Sequence, residues 1–279
     1  TAQNFAALWF NTRLETVSAE VEKLYSEFKL SEALKTIYSL IWDDFCSWYL
    51  EWVKPPYGEQ ISAHLLDATI NFYERLLQLL HPFMPFITEE LYHHLKPREA
   101  GDDLTISQFN NIQPLSFTQA TPDLGPIGEH LKNSITAIRE VRNSMGLKPK
   151  ETIALTLQTD KPQNFDAVKA LLQKSVNAES ITFGNSAPPQ ASTVVVGKDK
   201  FFVSSDAVVT DTASQQAALQ KELEYLQGFL QTVEKKLGNE RFVQNAKPEV
   251  VELERKKKQD AEEKIRLIQQ SLHPGPLSP

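Results

Sequence analysis

Residues 76–95, LLQLLHPFMPFITEELYHHL, join the end of one apolar helix to the start of another. Pro82 cannot continue the first helix and Pro85 suits the first position of the second, so the two prolines fix a turn. Glu89 and Glu90 fall in the first turn of the second helix, at the positive end of its dipole. Apolar residues on both sides of the turn are expected to face the core: Phe83, Met84, Phe86, Ile87, Leu91, Tyr92 and Leu95. The stretch predicts a corner of a helix bundle.

Apolar residues at three- and four-residue steps predict the other helices of this bundle. The first covers residues 5–28, the second begins with Ser31 as its N-cap and ends after Trp52, and the third covers about 59–80. A fifth helix, about 122–145, precedes Gly146. Short connections favour an up-and-down arrangement. The aromatic side chains and thiol expected in its core are Trp42, Phe45, Trp48, Phe72 and the single cysteine, Cys46.

The periodicity changes after residue 150. Strands are predicted at 152–158 and 180–183 with a short helix at 165–172 between them, and residues 193–204 read as a hairpin turning at Gly197. These patterns predict a small α/β module.

The last part of the chain is predicted to be a coiled-coil hairpin. Leucines and one valine recur at heptad spacing over residues 219–237, and a second helix covers about 248–272. Glu254 and Lys258 fall on the seam of the second helix, so we expect looser pairing in its middle. The chain divides into a bundle at 1–121, a connecting helix and α/β module at 122–211, an arm at 212–273 and a tail at 274–279. The fold class is mainly α.

Two motifs of the bundle resemble a known family. HPFMPFITEEL (81–91) and WDDFCSWYLEWVKP (42–55) are similar to the α-helical anticodon-binding domain of the class I aminoacyl-tRNA synthetases for valine, isoleucine and leucine. NERFVQNA (239–246), PEVV (248–251) and ERKK (254–257) are similar to the tip and returning helix of the C-terminal arm in the valyl-tRNA synthetases, an arm that the other two families lack. The resemblance selects valine.

The resemblance implies a role for this chain and a set of partners. The chain would be the C-terminal part of a valine–tRNA ligase and would hold tRNA for valine at its anticodon and at its outer corner. The implied partners are that tRNA and the catalytic and editing domains of the same parent chain, with a monomer as the expected state. ATP and magnesium are implied for the catalytic domain, and no cofactor for this part.

The catalytic signatures of such enzymes are missing from the sequence. No histidine is followed two residues later by Gly-His, and neither Met84 nor Met145 lies in a Lys-Met-Ser setting. We therefore expect no aminoacylation by this chain alone and assign no catalytic residue. The net charge of −7 weakens an RNA-binding interpretation without excluding it, because RNA needs only a local basic strip. One cysteine, no signal peptide and no long apolar run favour the cytoplasm.

The strongest candidate for RNA contact is the run Arg255, Lys256, Lys257 and Lys258 on the second arm helix. Four consecutive cations spread around a helix, so some must face outward, where they can neutralise phosphates. Composition alone favours a solvated face balanced by nearby acidic residues, whereas the resemblance favours tRNA contact. Arg241 and Lys247 at the tip belong to the same hypothesis.

Two further sets are candidates for contact with tRNA. Arg139, Arg142, Lys148 and Lys150 surround the end of the fifth helix, where cations also stabilise the helix dipole. In the bundle, aromatic and cationic residues near helix ends are candidates by type for binding unstacked anticodon bases: Trp52, Lys54, Tyr57, Arg75 and His81.

Two alternatives stay open. Glu90 and His93 form a Glu-x-x-His step like those of di-iron bundles, but no second such step exists, so a solvated polar face is preferred and no metal is assigned. The leucine seam would also suit a non-enzymatic scaffold that pairs with another protein, which would show concentration-dependent mass.

Overall fold

The computed structural model describes residues 2–107, 124–205, 212–239 and 248–272. It confirms a mainly helical fold with a small α/β module and an antiparallel helical hairpin. The chain forms two compact units, Thr1–Glu129 and His130–Pro279. The boundary expected at residues 121 and 122 lies outside the described residues, and the division into four parts stays a prediction.

The first unit contains the bundle. Its helical elements are α1 (Ala2–Ser26), α2 (Leu30–Ser39), a π-helical segment (Leu40–Tyr49), α3 (Leu50–Val53), α4 (Ala63–Leu80), α5 (Pro85–Leu95) and a 3₁₀ turn (Leu104–Ile106). The stretch from α2 to α3 is continuous and ends at Val53, which confirms the end expected after Trp52 and agrees with Pro55 two residues later. A further helix, α6 (Leu124–Ser144), follows the bundle and ends at Gly146, whose φ of 69° suits glycine.

Aromatic rings from three elements form the centre of the bundle. The ring centroid of Phe10 on α1 lies 5.1 Å from that of Phe45, 4.9 Å from that of Tyr49 and 5.1 Å from that of Phe72 on α4. Such ring pairs add about 0.5–1.5 kcal/mol each to the stabilisation from burial. Next to them, the Arg13 guanidinium donates to the buried Asp44 carboxylate from Nε at 3.0 Å and from Nη2 at 2.8 Å.

The second predicted helix contains a π-helical segment. Its i→i+5 hydrogen bonds put more residues into each turn than an α-helix has, and its buried residues are Leu40, Asp44, Phe45 and Tyr49. The expectation that Trp42 and Cys46 lie in the core is wrong, because Trp42 lies about two residues' rotation, or roughly 200°, from the buried Leu40. Trp42 is 59% exposed and Cys46 is exposed, whereas Phe45 and Phe72 are buried as expected. Partial burial raises the pKa of the Cys46 thiol, the opposite of what a nucleophile requires.

Two predicted helix starts are also wrong. Helix α2 begins at Leu30 with Lys29 as its N-cap, so Ser31 lies inside the helix and makes no cap. The reason is that α1 ends earlier than expected: Phe28 has a left-handed backbone, with φ of 57°, and its side chain is exposed instead of packed in the core. Helix α4 begins at Ala63, where the Ser62 hydroxyl accepts a hydrogen bond from the amide of Leu65 at 3.4 Å.

The predicted corner forms, with Pro85 at the first position of α5, but its core face differs from the expectation. Met84, Phe86 and Ile87 are exposed, and the buried residues of α5 are Thr88 and Tyr92. Thr88 is buried because its hydroxyl forms hydrogen bonds to the carbonyl oxygen of Met84 and to His81 Nδ1.

An ion-pair network closes the end of α5. Arg98 lies over the Tyr92 ring, 3.5 Å from its centroid, and its guanidinium donates to the buried Glu74 carboxylate. Lys96 is 2.9 Å from the same carboxylate. Burial raises the pKa of Tyr92 to about 12, and the hydrogen bond from its hydroxyl to Asp102 acts in the same direction.

The second unit contains a four-stranded mixed sheet. Its elements are β1 (Ile153–Gln158), α7 (Gln163–Asp166), α8 (Lys169–Ser175), β2 (Ala178–Phe183), β3 (Ser192–Val196) and β4 (Asp199–Ser204). The strand order is β2-β1-β4-β3, with β1 and β2 parallel and the other pairs antiparallel. The two predicted strands and the hairpin are confirmed. The single helix expected at 165–172 is two short helices.

The arm consists of α9 (Thr212–Leu237) and α10 (Pro248–Leu272), which pack against each other. Leu223 from α9 and Ile265 and Ile268 from α10 form its apolar seam together with Val195 of β3. The base of the arm is therefore anchored on the sheet. Within the described residues, no helix is long and apolar enough to cross a membrane.

The first prediction concerns the ion pair between α1 and the π-helical segment. Replacing Asp44 by Ala leaves the partly buried Arg13 without its partner, so we expect the bundle to lose about 3 kcal/mol of unfolding free energy. Asp43→Ala is the matched control, because Asp43 is exposed and its removal should cost less than about 0.5 kcal/mol.

Urea unfolding followed by tryptophan fluorescence measures this difference. All 4 tryptophans lie in the first 52 residues, so the signal reports on the first unit alone. Equal unfolding midpoints for the two variants would contradict a structural role for the Arg13–Asp44 pair.

Candidate nucleic-acid interface

Charge is distributed unevenly between the two units. Residues 1–129 contain half of the 36 acidic residues but only 8 of the 29 lysines and arginines. In residues 130–279, lysines and arginines outnumber acidic residues. Because phosphates are bound mainly by cations, the second unit is the better place for backbone contacts with RNA.

Three of the four cations in the candidate run on α10 are held by carboxylates of the arm. Arg255 Nη1 lies 3.0 Å from Glu252 Oε1, and Lys257 Nζ lies 2.8 Å from Glu254 Oε1. Lys258 Nζ reaches across to α9, where it lies 2.9 Å from Glu234 Oε1. These pairs match the solvated, balanced face that composition favours. A phosphate would have to compete with them.

Lys256 differs from its neighbours. Its side chain is exposed, and it has no ion pair with any carboxylate in the parts of the chain that the structure describes. A cation in this state can bind a phosphate without first losing a partner. Lys256 is therefore the strongest of the four candidates for phosphate contact.

Glu254 and Lys258 occupy seam positions in the middle of the arm, as the sequence indicates. Both form ion pairs there. Glu254 is only 6% exposed, and its carboxylate lies between Lys257 and Lys236 of α9, the latter at 3.6 Å. The hydrogen bond from Lys257 lowers the pKa of Glu254, and the charge of Lys236 adds to the effect. Together with the Lys258–Glu234 pair, this polar layer favours one register between the two helices.

Arg241 and Lys247 lie in residues 240–247, outside the described part of the chain. Their role stays a prediction.

The candidates at the end of α6 divide into two kinds. Arg139 donates to the carbonyl oxygen of Ser175 at the end of α8, from Nη2 at 2.9 Å. Arg142 is buried and donates through Nη2 to the carbonyl oxygen of Glu151 at 2.8 Å; burial lowers the pKa of its guanidinium. Arg139 therefore ties α6 to the end of α8, and Arg142 fixes the passage from α6 to β1, so both have structural roles.

Lys148 and Lys150 are the exposed members of this set. Lys150 also lines an open cleft of about 310 Å³ at the edge of the sheet, with Glu151 and Glu179 among its neighbours. The two lysines are free to contact phosphates, although the acidic lining of the cleft makes it a poor anion site.

The five anticodon candidates differ in how exposed their side chains are. Trp52 is 2% exposed and packs against Trp9, with ring centroids 4.8 Å apart, so its ring is not available for base stacking. Tyr57 is fully exposed and Lys54 is exposed, with its ammonium 3.1 Å from Glu51. These two residues, just after α3, can reach a ligand.

Arg75 and His81 are half-buried. Burial lowers the pKa of the Arg75 guanidinium, which the charge of Glu15 opposes. His81 Nδ1 lies 2.7 Å from the Thr88 hydroxyl, so this ring is tied to the first turn of α5.

The prediction that Glu89 and Glu90 lie in the first turn of α5 is wrong, because the helix begins at Pro85 and its first turn holds no acidic residue. Glu89 instead caps a different element. Its carboxylate accepts hydrogen bonds from the amide of Leu104 at 2.8 Å, the amide of Thr105 at 2.9 Å and the hydroxyl of Thr105 at 2.7 Å. Burial alone raises the pKa of Glu89, but these bonds and the charge of His81 outweigh it and lower the pKa. The side chain therefore anchors the 3₁₀ turn on α5.

Three possible metal ligands meet at this place. Ligand atoms of Glu89, His93 and Asp103 lie within 4.8 Å of one another, and His93 Nε2 is 2.9 Å from Asp103 Oδ1. Glu90, the residue of the Glu-x-x-His step, instead lies near His94. Because the Glu89 carboxylate already accepts three hydrogen bonds, closure of the loop explains the cluster without a metal.

The comparisons with known proteins agree with this architecture. The family model described as the anticodon-binding domain of tRNA ligase matches residues 7–157, more than half of the chain. The chain belongs to this family of tRNA ligases. A second model, the valyl tRNA synthetase tRNA binding arm, matches residues 211–274, the region of α9 and α10.

Curated relatives point the same way. A valine–tRNA ligase of Porphyromonas gingivalis is 38% identical over 274 residues, covering 98% of this chain and 30% of the relative. The valine–tRNA ligase of Bacteroides thetaiotaomicron is 39% identical over 274 residues, covering 97% and 30%. That of Geobacillus stearothermophilus is 33% identical over 274 residues, covering 95% and 30%. The chain thus spans about 30% of the length of these relatives.

The second prediction concerns Glu89. Glu89→Ala removes a carboxylate that accepts two backbone amides and a hydroxyl, so we expect a loss of roughly 1–2 kcal/mol of unfolding free energy at pH 7. Glu90→Ala, on the exposed face of the same turn, is the matched control and should change stability by less than about 0.5 kcal/mol.

The pH dependence of this stability difference tests whether the ionised carboxylate of Glu89 causes it. The pKa of Glu89 is lower in the folded chain than its ordinary value of 4.5, so its stabilisation is complete above that value and is lost as the pH falls below it. The difference between wild type and Glu89→Ala, measured by urea unfolding from pH 7 to pH 3, should therefore shrink at the acidic end. A constant difference across this range would contradict a role for the ionised carboxylate.

Proposed function

We propose that this chain is the tRNA-recognition part of a valine–tRNA ligase. The bundle would hold the anticodon region of tRNA for valine, and the arm would hold the outer corner. The observation that carries the proposal is the match of residues 211–274 to the valyl tRNA synthetase arm, on a segment that folds as an antiparallel hairpin anchored on its own sheet.

The charge distribution suggests how the two units share this work. An arm with exposed cations can bind phosphates, which gives affinity without reading the sequence. An acidic bundle gains little from phosphates, so its contribution would come from contacts with unstacked bases, for which exposed side chains such as Tyr57 are suited. Affinity would thus come mainly from the second unit and selectivity mainly from the first.

The remaining features of such a ligase are part of the same proposal. Aminoacylation, with its ATP and magnesium, would take place in catalytic and editing domains of the kind that valine–tRNA ligases contain, and this chain alone would be inactive. The setting would be the cytoplasm, with a single copy of the chain at work.

A scaffold function finds no support in the arm. An intermolecular coiled coil needs an open apolar seam, whereas the seam residues of α9 here pack against those of α10 in the same chain. Because this seam is closed within one chain, it should not make the measured mass rise with concentration.

The third prediction tests tRNA binding by the arm. Fluorescence anisotropy with tRNA for valine and an unrelated tRNA, over a salt series, should show preference for the valine tRNA and a steep loss of affinity with salt. Lys256→Ala should lower the slope of log affinity against log salt by about 1. Lys258→Ala should lower it less, because this lysine is held by Glu234.

Lys23→Ala is the control, because this exposed lysine lies on α1 in the bundle. It should leave the slope unchanged. Equal affinity for both tRNAs would contradict the assignment to valine tRNA. The same salt slope for Lys256→Ala and wild type would remove Lys256 from the interface.

A further inference from the structure

The continuous helix from α2 into the π-helical segment has two apolar sides, one buried and one exposed. One side packs into the bundle through Ala33, Ile37 and Leu40, all of which are buried. The other side presents Leu34, Tyr38 and Trp42 to solvent, with exposed fractions of 38%, 61% and 59%. We name these three residues the outer stripe. A surface helix of a single domain normally has one apolar side, and a helix that is apolar all round is normally buried.

The outer stripe is ordered like a packing surface. Its residues are spaced by four, so they form one ridge of the kind that fits between the side chains of a neighbouring helix. The Tyr38 and Trp42 rings lie almost parallel, with an interplanar angle of 13° and centroids 6.3 Å apart. Phe28 and Leu30, both exposed, extend the apolar surface at one end.

The surroundings argue against RNA as the occupant. The outer stripe belongs to the unit that holds half of the acidic residues and only 8 of the 29 lysines and arginines, so it offers a phosphate backbone few cations. Asp43 lies beside Trp42 and accepts a hydrogen bond from Ser39. Contiguous exposed apolar surface with a polar border is typical of contact between protein surfaces.

We propose that the outer stripe is the docking surface for the polypeptide that the valine–tRNA ligase relatives contain outside the region matched by this chain. That polypeptide is available in every such relative, because the matched region is only 30% of the length of each. The chemistry required of it is an apolar groove between helices that accepts the Tyr38 and Trp42 rings. The inference rests on the proposed function, since it takes the ligase as the setting. Docking there would hold the bundle in a fixed position relative to the rest of the enzyme.

The fourth prediction tests this surface in a chimera. In the Porphyromonas gingivalis ligase, the matched region is replaced by this whole chain, and hydroxyl-radical footprinting measures side-chain oxidation without tRNA. Oxidation of Tyr38 and Trp42 should fall about fivefold relative to the free chain, because both rings become buried. Tyr225, 72% exposed on α9, is the internal control and should not change. Unchanged oxidation of the outer stripe would overturn the proposal.

A double variant, Tyr38→Ser with Trp42→Ser, separates docking from folding. In the free chain it should leave the tryptophan-monitored unfolding midpoint and the affinity for valine tRNA nearly unchanged, because both side chains are exposed. In the chimera it should split one thermal transition into two. If the chimera does not fold, the free chain mixed with the separately purified remainder of the ligase must show the same protection of Tyr38 and Trp42.

The outcomes also separate this inference from the proposed function. Protection of the outer stripe by valine tRNA in the free chain, and not by the rest of the ligase, would overturn the docking surface while supporting tRNA recognition. Protection in the chimera together with no tRNA binding by the free chain would support the docking surface and count against recognition by this chain alone.

Discussion

The bundle depends on the packing of α1 against the π-helical segment. Phe10 lies at the centre of this contact, with Phe45, Tyr49 and Phe72 around it, and the Arg13–Asp44 pair lies beside it. Within this segment the neighbours Asp44 and Phe45 are both buried, so the ion pair and the aromatic cluster lie side by side. Trp42 and Cys46 of the same segment face outward. The segment therefore contributes to the core through Phe45 and Tyr49, and to the outer stripe through Trp42.

The helices, strands and arm could be predicted from the sequence because hydrophobic period, prolines and glycines act locally. Pro85 begins α5, Gly146 ends α6 and Gly197 turns the hairpin of β3 and β4 for reasons contained in a few residues. Exposure could not be predicted so well. When a helix is apolar on two sides, its hydrophobic period does not indicate which side packs against the core. A π-helical turn also changes the spacing of the residues on each side. The apolar pattern therefore predicts core positions for Trp42 and Phe86, whereas both are exposed.

The candidate site shows a similar limit. Sequence identifies cations, but whether a cation is available depends on the carboxylates that the fold brings near it. Lys257 is held by Glu254 on the same helix and Lys258 by Glu234 on the opposite helix. Lys256 has no such carboxylate among the residues that the structure describes. The sequence makes Arg142 a candidate for RNA contact, but in the structure its guanidinium donates to the backbone carbonyl oxygen of Glu151. The sequence gives some indication of these ion pairs, because acidic residues surround the run from Arg255 to Lys258.

The internal ion pairs of the arm affect how it can bind RNA. An arm whose cations were all free would bind any phosphate backbone strongly, since each contact releases counterions. Here a phosphate that approaches Lys257 or Lys258 must displace a carboxylate, so the gain from each such contact is smaller. The buried Glu254 also ties the two helices in one register, which keeps the exposed cations at fixed positions along the arm. In the proposed function, the arm would therefore favour an RNA whose phosphates match those positions over RNA in general, and that preference would complement base contacts by the acidic bundle.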